Sequence, residues 1–202
     1  MLYKPDCKIY SIKDINKLCG TDFKPIEESR SIFNDKELFV LCREIPKYKG
    51  ECDTILISNY GRIFSCGQKV FINTMRKNGR YRVVYASQGN GKRKAFYVHR
   101  LVAKYFVAGY EPDLKIKFID NDTTNVASYN LMWVTNWELS IINSIMNNPS
   151  EENMRKKISN LMKEDYKYVD IVNLLYQYIP GRNYATKNLY VRKLMKNKDT
   201  DN

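Results

Sequence analysis

Short runs of apolar residues, often alternating with polar ones, fill the middle of the chain and predict β-strands. TILIS and RIFS lie on either side of NYG, a stretch with the composition of a turn. YRVVYAS and RKAFYV flank QGNGK, whose two glycines suit the loop of a hairpin. KIKFI and LMWV are two further short runs around the polar stretch DNDTTNVASYN. The pattern therefore predicts strands over most of residues 53–98 and again on both sides of that polar stretch.

Apolar residues at helical spacing predict helices before, between and after these strands. Ser11 followed by Asp14 is the pattern of a capping box at the start of SIKDINKL. In HRLVAKYFVAGY the apolar residues share one helical face, and Gly109 is placed to end the helix. NWELSIINSIM predicts another helix, which Pro149 stops.

The C-terminal part of the chain predicts three short helices. Ser150 is placed as the N-cap of the first helix, whose apolar residues share one face. Those apolar residues are Met154, Ile158, Leu161 and Met162. YVDIVNLLYQY and YATKNLYVRKLMKNK are the second and third helices. A basic third helix suits a helix-turn-helix unit, but YIPGRNY is longer than the usual turn, so a plain helical cap stays an alternative.

Together these elements predict an α+β fold in four segments. Residues 1–36 are an N-terminal lead-in, and residues 37–97 are a strand-rich module. Residues 98–148 carry a helix, the two strands around the polar stretch and a following helix. Residues 150–202 are the C-terminal helical unit.

Composition excludes several classes of protein. Apolar residues make up 44% of the 202 residues, which is enough for a buried core, and charged residues make up 28%. No apolar run reaches the roughly 18 residues of a membrane span, and the first residues lack the apolar stretch of a secretory signal. We therefore expect a protein that is not secreted. It would act in the cytoplasm, that of a host cell if the gene is viral, or wherever its target genome resides.

Cysteine and histidine usage argues against a zinc site. The five cysteines are widely spaced, form no C-x-x-C pair and are accompanied by a single histidine, His99. Reduced thiols are the expectation.

The positive charge is concentrated in one part of the chain. The net charge is +12, yet residues 1–53 carry ten basic and ten acidic side chains. Residues 54–110 carry eleven basic side chains and no acidic one. Such a field suits a polyanion, because each neutralised phosphate releases counterions. A solvated basic face is the alternative, and an acidic membrane surface lacks the amphipathic basic helix that would support it.

Three stretches, taken together, resemble the HNH homing endonucleases of phages and mobile introns. ELFVLCREIPKYKGECDTILISNYGRIFS resembles that family's N-terminal module, which ends in an SNYGR signature. VHRLVAKYFV resembles its HRLVA helix, and KFIDNDTTNVASYNLMWVTN resembles its NHIDGN…NLEWVT stretch. The resemblance spans about residues 37–140. It implies a ββα-metal core, preceded by small antiparallel strands and followed by a DNA-binding helical unit.

The resemblance also implies double-stranded DNA as the partner, and the basic side chains are the candidate contacts. These are Arg62, Arg76, Lys77, Arg80, Arg82, Lys92, Arg93, Lys94, Arg100, Arg182, Lys187, Arg192 and Lys193. Phosphate contacts by such residues would position the protein on the duplex.

The catalytic positions of the family are only partly retained. The family's base histidine corresponds to Phe118, and the neighbouring metal ligand corresponds to Lys117. A third ligand position, on the following helix, corresponds to Leu139, whereas Asn130 matches the middle residue of the signature. Phenylalanine cannot accept a proton, and a lysine repels a cation. The sequence therefore predicts a DNA-binding protein with an impaired nuclease site, which needs no cofactor.

An active enzyme is the alternative hypothesis. Asp120 and Asp122 carry hard oxygen ligands that could hold Mg²⁺ or Mn²⁺, although such loops usually only turn. Asn130 and His99 would then be the catalytic residues. His99 matches a histidine that opens a helix in the family, a position more typical of a structural or orienting part. A protein-binding module that keeps only the fold is a third possibility.

Overall fold

The structure of the protein is a computed structural model, which describes residues 8–24, 36–45, 47–48, 51–52, 54–77, 80–87 and 92–196. It mixes helices and strands, as the α+β prediction requires. Its contacts divide the chain into one unit at residues 1–133 and another at residues 134–202. The four segments drawn from the sequence stay a prediction.

Short strands, most of them in antiparallel pairs, and two α-helices build the described part of the first unit. The strands are β1 (Ile9–Ser11), β2 (Leu38–Leu41), β3 (Lys47–Tyr48), β4 (Glu51–Cys52), β5 (Ile55–Ser58), β6 (Ile63–Ser65), β7 (Val70–Phe71), β8 (Met75–Lys77), β9 (Tyr81–Ser87), β10 (Arg93–Tyr97), β11 (Lys115–Phe118) and β12 (Leu131–Val134). The helices are α1 (Ile12–Cys19) and α2 (Val98–Phe106). The strand order is β1-β2-β5-β6-β7 in one sheet and β10-β9-β8 in another, while β11 pairs with β12 and β3 with β4.

Most of these elements follow from the sequence pattern. The hydroxyl of Ser11 accepts the N–H of Asp14 at 3.2 Å, and the Asp14 carboxylate accepts the N–H of Ser11 at 2.7 Å. The predicted capping box is therefore confirmed. In the β9–β10 hairpin Arg93 faces Ser87 and Tyr97 faces Val83, as its two apolar runs predict. The QGNGK loop lies outside the described residues, except for its last lysine.

The end of α2 differs from the prediction. Gly109 was expected to end this helix, but the last helical residue is Phe106. Val107 is already extended, with φ −103° and ψ 124°. Its carbonyl accepts the indole N–H of Trp133 at 3.3 Å, so a tertiary contact provides the donor that a further helical turn would otherwise supply.

The three stretches that carry the resemblance pack against one another in a single core. This core contains Ile57 from β5, Leu101 from α2 and Leu131 from β12. The turn that joins β5 to β6 provides the tightest approach. Gly61 has φ +77°, and a Cβ there would lie 2.4 Å from Cγ2 of Val126. The turn and the polar loop between β11 and β12 therefore touch through a residue that has no room for a side chain.

The second unit is built from helices. They are α3 (Asn136–Asn147), α4 (Glu151–Lys163), α5 (Tyr168–Leu174) and α6 (Tyr184–Lys196). Ser150 caps α4 by accepting the N–H of Asn153, as predicted. Of the predicted apolar face of α4, Met154, Ile158 and Leu161 are buried, and Met162 is half-buried. No helix among the described residues is long and apolar enough to cross a membrane.

The second predicted helix of this unit is shorter than its apolar pattern suggests. It ends at Leu174, and Leu175 is the C-cap. Beyond the helix, the ammonium of Lys187 donates to the carbonyls of Tyr176 and Ile179 at 2.6 and 2.7 Å. Lys187 thus satisfies carbonyls that have no helical partner after the helix ends.

Replacing Gly61 with alanine should destabilise the first unit strongly. The left-handed backbone costs about 1–2 kcal/mol for a non-glycine residue, and overpacking against buried valines adds about 1–3 kcal/mol. Gly20→Ala is the matched control, since Gly20 also has a positive φ, +65°, but nothing lies within 4 Å of its Cβ position. Urea unfolding would measure both variants. Equal losses of unfolding free energy in the two variants would mean that the contact with Val126 does not restrict the side chain at position 61.

Candidate nucleic-acid interface and candidate nuclease site

The position of the expected catalytic base lies in an aromatic cluster. Phe118, at the end of β11, is 7% exposed. Its ring centroid lies 6.2 Å from that of Tyr81 and 5.2 Å from that of His99. Tyr97 completes the cluster, 5.6 Å from the imidazole. A benzyl group therefore fills the place where the resemblance expects a proton acceptor, and it is part of the core.

His99 is brought next to that position by the first turn of α2. Its side chain is buried, and its Nδ1 has no hydrogen-bond partner among the described residues. Burial, assisted by the charge of Arg100, lowers the pKa of His99 to about 4. The imidazole is therefore neutral at pH 7. The sequence pattern did not predict that the side chains of His99 and Phe118 are in contact in the folded protein.

Lys117 occupies the neighbouring ligand position and turns inward. It is 9% exposed. Its ammonium donates to the carbonyl of Phe118 at 2.6 Å and to the side-chain oxygen of Asn121. Burial lowers the pKa of Lys117, and the opposite charge of Asp120 acts against that shift.

The carboxylate of Asp120 is engaged within its own loop. Its Oδ1 accepts the N–H of Asp122 and the side-chain amide of Asn130, both at 2.7 Å. Its Oδ2 accepts the side-chain amide of Asn125 at 2.8 Å. Asn130 returns the interaction, because its Oδ1 accepts the N–H of Asp120 at 2.9 Å. These bonds brace the loop between β11 and β12.

Asp122 is also engaged locally. Its Oδ1 accepts the N–H of Thr124 at 2.8 Å and the Thr124 hydroxyl at 2.7 Å. Within the part of the chain that the structure describes, no group of three His, Cys, Asp or Glu side chains is arranged to hold a metal ion. An oxygen ligand set for Mg²⁺ needs free carboxylate lone pairs and no competing cation. The residues at this site do not fit a divalent ion.

The third family position lies on α3, in the second unit. Leu139 occupies this position, and the neighbouring residue Glu138 caps the N-terminus of α3. The hydroxyl of Thr135 accepts the N–H of Glu138 at 3.1 Å, and the Glu138 carboxylate accepts the N–H of Thr135 at 2.5 Å. Glu138 also accepts the Tyr166 hydroxyl at 2.8 Å. The T-x-x-E pattern of a capping box was present in the sequence and was not used to predict this role.

Among the predicted DNA contacts, Arg62 has a partner inside the protein. Its guanidinium bonds both oxygens of Glu37, a carboxylate whose side chain is fully buried. It also donates to the carbonyl of Lys24 at 3.2 Å and lies over the ring of Phe71, 4.2 Å from the centroid. Counting the charged side chains of residues 54–110 could not show this pairing, because Glu37 lies outside that segment.

Two other basic residues are held in a similar way. Lys104 pairs with Glu44, which again comes from outside the acid-free segment. Lys187 in the second unit is 7% exposed, and its ammonium binds backbone carbonyls and lies over the ring of Tyr176. Charge counted along the sequence therefore overstates the charge that the surface presents.

Eight of the remaining basic candidates are exposed, and they fall into two groups, one on each unit. On the first unit the exposed side chains are Arg80, Lys92, Arg93, Lys94 and Arg100. On the second unit they are Arg182, Arg192 and Lys193. Arg82 is half-buried and donates to the Thr74 hydroxyl at 3.0 Å. The side chains of Arg76 and Lys77 lie outside the described part of the structure.

The end of the β9–β10 hairpin concentrates positive charge. Arg93 and Lys94 are successive residues of one strand, so they point to opposite faces. Lys92 precedes them and is also exposed. The hairpin therefore presents cations on both sides.

Comparison with known proteins bears on the same region. Residues 96–140 match the model of an HNH endonuclease family. The chain is 36% identical over 94 residues to the DNA endonuclease I-HmuI of Bacillus phage SP01. That match covers 46% of this chain and spans about half, 51%, of the relative.

A solved structure of the HNH homing endonuclease I-HmuI, concerned with its DNA binding and cleavage, is also similar. It shares 30% identity, covers 56% of this chain and 66% of that one, and has a TM-score of 0.42.

The matched residues include α2, β11, β12 and the loop between the two strands, which are the elements that surround Phe118, His99 and Asn130. The family match and the homology to a phage endonuclease agree with the packing of the three sequence stretches, and both support the HNH homing endonuclease family for this part of the chain.

Proposed function

We propose that this protein binds double-stranded DNA through an HNH endonuclease scaffold and does not cut it. The observation that carries the proposal is the buried benzyl side chain of Phe118 in the position of the catalytic base. The DNA half is supported by the sequence similarity to I-HmuI, a DNA endonuclease, and by the exposed basic groups of both units.

The loss of cleavage follows from two substitutions that act together. Removing a general base costs about 10²–10⁴-fold in rate. Placing the Lys117 ammonium in the ligand position also disfavours the divalent cation that stabilises the leaving oxygen. Asp120 and Asn130 keep their places because they brace the loop. In this proposal they have a structural part, and no cofactor is required.

Binding to DNA would use the two exposed basic groups separately. The hairpin end with Lys92, Arg93 and Lys94 is suited to phosphate contacts. On α6, Arg192 and Lys193 are exposed beside Leu189, which is 52% exposed. A helix face with cations around an apolar side chain is suited to a DNA groove. Whether α5 and α6 act as a helix-turn-helix unit stays part of the proposal.

An active endonuclease is a second candidate, and one observation favours it. His99 is neutral at pH 7 and lies against Phe118, and its Nδ1 has no hydrogen-bond partner within the described ranges. A neutral imidazole beside the base position is a candidate proton acceptor. Its lowered pKa makes it a weak base, because efficient bases have a pKa near the working pH.

Supercoiled plasmid distinguishes the two candidates. With Mg²⁺ or Mn²⁺ the purified protein should leave the plasmid uncut, and it should shift a DNA duplex with an affinity that falls steeply as salt rises. Nicking that is lost in Asp120→Ala and kept in Asp113→Ala would establish the endonuclease. Asp113 is the matched control because it is an exposed aspartate outside the loop.

The basic residues should divide into structural and DNA-contacting ones. Arg62→Met leaves Glu37 buried without its cation and should cost about 3–5 kcal/mol of unfolding free energy. Lys187→Met removes the donor to two carbonyls and should cost about 1–3 kcal/mol.

Arg93→Met and Lys193→Met are the exposed counterparts and should change stability by less than about 0.5 kcal/mol. Each should lower DNA affinity and reduce the slope of log affinity against log salt by about 1. The assignment of Arg62 is wrong if Arg62→Met weakens DNA binding at unchanged stability.

His99 should make stability depend on pH. Its pKa in the folded protein lies below the ordinary value, so the unfolded chain takes up the proton first as pH falls from 6.5 to about 4. Between pH 7.5 and 5 the wild type should lose about 2 kcal/mol more than His99→Leu in urea unfolding. Equal losses would mean that the imidazole is solvated, which would remove the argument for its neutral, buried state.

A further inference from the structure

The loop between β11 and β12 contains two carboxylates, and a side chain of the protein supplies positive charge beside them. We propose that the ammonium of Lys117 takes the place of a divalent cation in this loop, so that the loop folds, and the protein binds DNA, without metal. The DNA part rests on the proposed function, whereas the folding part stands without it.

The ammonium joins the two ends of the turn that opens the loop. The carbonyl of Phe118 accepts the backbone N–H of Asn121 at 3.2 Å and the Lys117 ammonium at 2.6 Å. Asn121 has φ +61°, and its side-chain oxygen accepts from the same ammonium. A single buried cation therefore bonds both sides of a turn whose backbone is in a sparsely populated conformation.

The same cation compensates the carboxylate that braces the rest of the loop. Asp120 accepts three N–H donors, from Asp122, Asn125 and Asn130. All three donors are neutral, so they solvate the carboxylate without cancelling its charge. The ammonium of Lys117 bonds Asn121, the residue next to Asp120, and the charge of Asp120 acts to raise the pKa of Lys117 against the effect of burial. The positive and the negative charge at this loop therefore both belong to side chains of the same protein chain.

A metal ion approaching Asp120 would meet this ammonium. Like charges repel strongly where water is excluded, and Lys117 is 9% exposed. The ion would also compete with the N–H donors that both oxygens of the carboxylate accept. A built-in cation therefore keeps the loop in shape and disfavours the ion that cleavage would use.

Thermal unfolding in EDTA, Mg²⁺ and Mn²⁺ at matched ionic strength tests the folding part. The wild type should have the same melting temperature in all three buffers. Lys117→Met should lower the melting temperature in EDTA by several degrees. Lys115→Met, which removes an exposed lysine from the same strand, should lower it by about one degree or less.

A double-mutant cycle tests whether Lys117 acts on Asp120. Asp120→Asn combined with Lys117→Met should lose less than the sum of the two single losses, because each single variant leaves the opposite charge uncompensated. Additive losses would overturn the proposal. A wild-type melting temperature that Mn²⁺ raises by several degrees would also overturn it, since an ion that binds the folded state stabilises it. If Lys117→Met does not fold, the wild-type measurements decide.

Mobility shifts of a DNA duplex test the other part. The wild type should bind with the same affinity in EDTA and in Mg²⁺ at matched ionic strength. Binding that is lost in EDTA and restored by Mg²⁺ would overturn the built-in cation. An absence of binding in both buffers would overturn the proposed function and leave the thermal results as the test of Lys117.

Discussion

The reciprocal pairing of Asp120 with Asn130 holds the two ends of the polar loop together. Asn130 accepts the N–H of Asp120, and its side-chain amide returns a bond to the carboxylate. The carbonyl of Asn130 also accepts the N–H of Ile119 at 2.8 Å. Because these bonds fix where β11 ends and β12 begins, the places of Lys117 and Phe118 depend on them. The polar signature residues of this loop thus have a structural task that does not require catalysis.

Under the proposed function, that structural task would keep the scaffold folded without its nuclease chemistry. A buried phenylalanine gains about 1.5–3 kcal/mol over an exposed one, and Phe118 lies in the same core as Val98 and Leu131. A histidine in its place would have polar atoms to satisfy in apolar surroundings. Under the proposed function, phenylalanine at position 118 would exchange a functional group for packing, in line with the general conflict between active-site chemistry and stability.

Local patterns in the sequence were sufficient for much of the secondary structure. Helix caps at Ser11 and Ser150 depend on neighbours three residues away, and strand pairs such as β9–β10 depend on alternation and turn residues. Contacts between distant residues were not accessible in this way. The indole of Trp133 donates to the carbonyl of Val107 just after α2, and Glu37 pairs with Arg62 across 25 positions. A basic residue in a strand cannot be assigned to DNA or to a carboxylate until its neighbours in space are known.

The contact between the glycine turn and the polar loop sets the smallest piece of this protein that could be moved to another scaffold. Val126 rests on Gly61, and the N–H of Ser128 donates to the carbonyl of Asn59 at 2.7 Å. A graft of residues 96–140 would leave that valine facing water and that amide without its acceptor. The HNH segment is a continuous stretch of sequence but not a self-contained building block, and a transplant would have to begin ahead of residue 58.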